Sequence, residues 1–147
     1  MNKTLRDTLI GTWKLIEFSA KDKDGNKYYP AGENAKGFIM YTPDGYMSAQ
    51  IMTPGRKPYV SKDMFVGTTK EMAEAAKGYM AYSGKFDVEE STSSVRHHME
   101  VSMNPTWLDQ LQVRNIKVQG NRIIITTEIN TAYLIWERTE DHSNNLI

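Results

Sequence analysis

The sequence has no cysteine, and that absence removes a disulfide scaffold, a thiolate metal site and a cysteine nucleophile together. It also has no net charge: 18 Lys and Arg balance 18 Asp and Glu. Both signs are spread along the chain, without the basic stripe that phosphate neutralisation requires, so nucleic acid is not an expected partner. No apolar run approaches the ~20 residues of a membrane-spanning helix. The opening MNKTLRDTLIGTW lacks the apolar core and small-residue cleavage site of a secretory leader. A membrane is therefore not an expected partner, and the cytoplasm is the expected location. The length of 147 residues predicts one domain with a core over 9–138 and a flexible tail over 139–147.

What is present reads as strand. Residues 11–18 mix Trp, Leu, Ile and Phe with polar positions, and 37–41 and 46–52 flank Thr42-Pro43-Asp44-Gly45. Pro43 presets φ, Asp44 caps locally and Gly45 tolerates positive φ, so this pair is a predicted hairpin. Further strands are predicted over 84–88, 95–103, 112–118, 122–128 and 132–138, with Gly120-Asn121 as another hairpin turn and a short strand over 27–29 after Asp24-Gly25. Short strands at regular spacing predict a mainly β fold, an antiparallel barrel of about eight strands. One stretch departs from this pattern. Thr68 and Glu71 have capping-box spacing, and Met72, Ala75, Ala76, Tyr79 and Met80 form a helical stripe, so 68–82 is the predicted helix, packing on the barrel or closing one end. The Pro- and Gly-bearing stretch 53–67 is a predicted loop at a mouth.

Gly11-Thr12-Trp13 and Leu134-Ile135-Trp136-Glu137-Arg138 resemble the opening and closing strands of calycin barrels, the lipocalins and fatty-acid-binding proteins. Between them, Gly37, Tyr41, Pro43, Gly45, Tyr46, Met47 and Ser48, then His97, His98, Glu100, Ser102, Pro105, Trp107, Gln112, Val113 and Arg114 resemble the lipocalin-like domain family of bacteria and fungi. The resemblance covers 9–138 and implies a lipocalin-like barrel in which Arg138 lies over Trp13 as a structural clamp. It departs from the fatty-acid-binding proteins, whose helical lid follows the first strand. It also departs from secreted lipocalins in lacking a disulfide.

Alternation along a strand separates His97 from His98. The row Val95, His97, Met99, Val101, Met103 is apolar and that of Arg96, His98, Glu100, Ser102 is polar. With the apolar row inward, His97 is a core histidine and His98 and Glu100 are surface residues. With the polar row inward, His98 and Glu100 converge with Gln112 and Arg114 on the next strand, and Tyr46, Gln50, Tyr79 and Trp107 become candidate walls of a ligand site. Methionines on strands (Met40, Met47, Met52, Met99, Met103) suit either core or an adaptable lining, which predicts a modest cavity lined by Met and Tyr. No metal site or cofactor is expected: His98 and Glu100 lack visible third and fourth ligands. Three functions follow. The first is binding of a small amphipathic or apolar molecule in the barrel. The second is an isomerase or cyclase with His98 or Glu100 as acid/base and Arg114 stabilising charge. The third is a dimerising domain, a homodimer with a filled barrel.

Overall fold

The computed structural model describes residues 3–127 and 131–139; all but the first residue of the tail predicted over 139–147, and the end of the strand predicted over 122–128, lie outside them. A short helix α1 (Leu5–Leu9) leads into β1 (Gly11–Lys21), followed by β2 (Lys27–Tyr28), β3 (Lys36–Tyr41), β4 (Tyr46–Met52), α2 (Thr69–Lys77), β5 (Tyr79–Glu89), β6 (Ser94–His98), β7 (Val101–Ser102), β8 (Leu111–Gln119), β9 (Arg122–Thr127) and β10 (Ala132–Arg138). Every pairing is antiparallel. The path β10-β9-β8-β6-β5-β4-β3-β1 closes because β1 also pairs with β10, giving the expected closed barrel of eight strands. β2 hangs on the edge of β1, and β7 continues the β6 line along β5.

Closure at one end is electrostatic as well as hydrophobic. The backbone N–H groups of Leu5 and Arg6 donate to the Glu90 carboxylate at 2.8 and 3.2 Å. At the other end of α1, Arg138 donates to the carbonyls of Ile10, at 3.0 Å, and Thr8. Opposite charges thus meet opposite ends of the helix dipole. The guanidinium also lies over Trp13, 4.2 Å from the ring centroid, and the Trp13 indole donates to the Leu9 carbonyl at 2.9 Å. Gly11 is required here: its φ is +128°, and a Cβ would sit 2.8 Å from Arg138 Nη1. The expected clamp is present, and it includes a helix that pattern reading passed over.

Two bulges set which side chains face inward. In β1 the register slips between Leu15 and Glu17, so the buried series runs Trp13, Leu15, Phe18, Ala20. In the second, Phe86 pairs with His97 but Ser83 pairs with Val101; three steps on β5 face four on the other strand. Val95, His97 and Met99 are therefore buried as expected for an apolar row, whereas Val101 and Met103 are exposed.

The helix prediction needs correction. Its capping box is present, with Thr68 Oγ1 accepting from Glu71 N and the Glu71 carboxylate from Thr68 N. The helix stops at Lys77, however, and buries no residue. At Gly78 the chain passes so close to Thr53 that a Cβ would lie 2.6 Å from its Oγ1, and the Arg56 guanidinium donates to the Gly78 carbonyl at 2.7 Å. Beyond it, residues 79–82 pair with β4 from Met52 back to Ala49. A full ladder against a neighbouring strand satisfies more backbone than one further helical turn, so Tyr79 and Met80 belong to a strand.

Replacement of Trp13 by Ala should cost about 3–5 kcal/mol in urea unfolding, as for other large core truncations; a loss below about 1 kcal/mol would place the indole outside the core.

Candidate functional site

At the end opposite α1, the barrel interior opens into a cavity of about 180 Å³. Its walls come from the later half of β1 (Phe18), from Ala49 and Ile51 of β4, from Met80 and Tyr82 of β5, and from Leu134 and Trp136 of β10. The 53–68 loop and α2, which together join β4 to β5, begin and end at this same end. Met80 is the one methionine in the lining. Met47 and Met99 fill core, while Met40 and Met103 are exposed, so the cavity expected to be lined by Met and Tyr has one of each, Met80 and Tyr82, among other aromatic and branched aliphatic side chains.

Inside this apolar frame lies a short polar line. His97, on β6, is fully buried. Its Nε2 is 2.7 Å from the Tyr41 hydroxyl and its Nδ1 is 3.4 Å from that of Tyr82. Registers of β6 with β8 place Gln112 opposite His97 and Arg114 opposite Val95; opposed residues share a face, so both point inward. Arg114 donates to Gln112 Oε1 at 3.1 Å, and among the described residues no carboxylate pairs with it. Trp107, on the connection to β8, packs edge-on against Tyr82 with centroids 5.6 Å apart. Burial, reinforced by the Arg114 charge, holds His97 down to about 3, so the ring is neutral at physiological pH. Burial likewise raises Tyr41 well above the ordinary phenol range and raises Tyr82, and both stay protonated.

The sequence-predicted site is thereby divided. Trp107, Gln112 and Arg114 come together in the barrel. His98 and Glu100 do not join them. His98 Nε2 lies 2.9 Å from Asp87 on the outer surface, and the exposed Glu100 accepts from Lys85 N at 2.7 Å. The polar row of β6 faces solvent, since inward placement would strip charged groups of water in an apolar frame. Tyr46 and Gln50 are exposed on the outer face of β4, and Tyr79 joins Gln50, Phe38 and Met40 along a shallow outer groove. The residues that pattern reading missed are His97 as a site residue, its partners Tyr41 and Tyr82, and Trp136. The signal for His97 was its place in the apolar row, one residue from the histidine chosen.

The lipocalin-like domain model matches residues 10–147. The chain belongs to the lipocalin-like domain family. It is 37% identical over 87 residues, 55% of this chain and 78% of the relative, to the 4'-hydroxy-3'-methoxypropiophenone carrier protein ppsC of Aspergillus oryzae. A lipocalin-like protein from Bacteroides uniformis has a similar fold, with a TM-score of 0.50 at 11% identity over 90% of this chain and 99% of that one. A Bacteroides eggerthii protein aligns over 89% and 99% at 12% identity, with a TM-score of 0.47.

The depressed His97 makes stability depend on pH. The unfolded chain takes up this proton near 6.5 and the folded chain only near 3, so between those values the unfolded state holds the extra proton. The contribution of this residue is complete above pH 6.5 and is lost as pH falls toward 3, at up to about 1.4 kcal/mol per pH unit. Urea titrations at pH 7 and pH 5 should show a smaller loss for His97→Gln than for the unmodified protein; equal losses would mean that the imidazole is not buried neutral.

Proposed function

We propose that this lipocalin-like domain, reading the chain as one domain, binds and carries a small, mostly apolar molecule inside the barrel, with an oxygen of the ligand held at Arg114. The observation that carries this reading is a guanidinium directed into an apolar cavity without a carboxylate partner among the described residues. Partial removal of a cation from water is costly unless an acceptor meets it, and a ligand oxygen is the natural acceptor. The cavity volume limits the ligand. About 180 Å³ is below the ~300 Å³ at which drug-sized pockets begin. At the packing density of a protein interior it holds on the order of ten non-hydrogen atoms. That suits a single substituted ring and is too small for a long acyl chain.

The carrier relative supports the same reading, because the aryl ketone in its name is a one-ring molecule with oxygen acceptors. Binding is favoured over proton-transfer catalysis by the state of the interior imidazole. A base with a value of about 3 is a poor proton acceptor at neutral pH, and the other candidate acid/base residues, His98 and Glu100, face away from the cavity.

Calorimetric titration with 4'-hydroxy-3'-methoxypropiophenone should show one site. Arg114→Gln should weaken it by roughly tenfold or more, as expected for loss of a hydrogen bond from a charged donor. His98→Ala and Glu100→Gln should leave the affinity unchanged. Native mass spectrometry of protein from its own host should show the retained ligand. Failure of this ketone to bind, together with ligand-free protein from the host, would overturn the proposal.

A further inference from the structure

The hydrogen-bonding capacity of the interior narrows the ligand further than its volume does. The Tyr41 hydroxyl is buried with a single partner among the described residues, His97 Nε2, so its hydrogen is donated there. A neutral imidazole that accepts at Nε2 carries its own hydrogen at Nδ1, and this one is directed at the Tyr82 oxygen, 3.4 Å away. The Tyr82 hydrogen is then left for the cavity.

One more donor stands apart from this group. Trp136 lines the cavity and is buried, and its indole N–H is the one buried side-chain polar atom among the described residues with no hydrogen-bond partner. Such an orphan is rare and costly in a folded protein. It also lies deeper than Arg114. Arg114 is opposite Thr127 and Trp136 is opposite Ile123, a separation of four residues along β9, or about 13 Å of strand.

Resting on the carrier reading above, we infer that the ligand carries oxygen acceptors at both ends of one ring: one meets Arg114 and Tyr82 near the mouth and the other meets the Trp136 N–H at the bottom. The class is that of aryl ketones with a second oxygen on the far side of the ring. Trp136 is the specificity-determining residue, since it rewards a second oxygen that the apolar walls alone would disfavour.

Two probes of equal size test this, 4'-methoxyacetophenone with an acceptor at each end and 4'-ethylacetophenone with one. The ratio of their affinities for the unmodified protein should fall roughly three- to tenfold in Trp136→Phe, the worth of one neutral hydrogen bond. In the unmodified protein, the Trp136 indole N–H resonance should move with the methoxy compound and not with the ethyl one. The Trp13 resonance, tied to the Leu9 carbonyl, should stay in place. The resonance decides the matter if the variant does not fold. An unchanged ratio, or an unmoved Trp136 resonance with the methoxy compound bound, overturns the inference and leaves the carrier reading standing. Absence of binding by both ketones counts against that reading itself.

Discussion

The closure of β1 on β10 is the constraint on which everything else rests. A barrel has no free edge only if its first and last strands pair, and here the pairing is secured at one end by a single guanidinium. Arg138 stacks on Trp13 and holds the last carbonyls of α1, so the same side chain joins the two terminal strands and fastens the plug over them. With that end sealed by Leu9, Trp13 and Trp136, the cavity has its opening at the other end, and the polar side chains of the interior are gathered toward it.

The chemistry of the interior follows from its dryness. In an apolar frame a charged imidazole is disfavoured, so His97 serves as a neutral relay between two phenols rather than as a cation. Arg114 brings a guanidinium into the same frame, and the oxygens of Gln112 and Val113 only partly satisfy it. A neutral relay, a cation and an indole with no partner among the described residues make an environment that attracts electron-rich oxygen.

Much of the fold was legible in the sequence because its signals are local. The Thr42–Gly45 turn, the capping box of Thr68 and Glu71, and the alternating strands each carry their cause within a few residues. The clamp of Trp13 and Arg138 was legible through the resemblance of both ends to one family of barrels. The site was less legible because its decisive feature is parity, and parity is changed by single residues. A bulge at Met99 and Glu100 turns Val101 outward, so a row that looks uniformly apolar is only partly internal. Choosing between His97 and His98 therefore turned on whether Arg96 and Glu100 could lose their water, which nothing in their spacing announces. The helix was overextended for a related reason: Tyr79, Met80 and Tyr82 fit a helical stripe and a strand equally well, and the tight approach of Gly78 to Thr53 that ends the helix is a contact across 25 residues.

The helix that plugs the barrel also carries an order of assembly. Its two anchors lie 85 and 130 residues away along the chain. During synthesis α1 and β1 are made before both anchors, so the N–H groups at the start of α1 wait for Glu90 and its last carbonyls for Arg138. Through most of translation, the indole of Trp13 and one edge of β1 stand without their final neighbours, which is the state in which nascent chains pair wrongly or aggregate. The strand made before the rest of the barrel is thus the one that finishes last, and a ribosome that stalls shortly before residue 138 would release a sheet rather than a barrel.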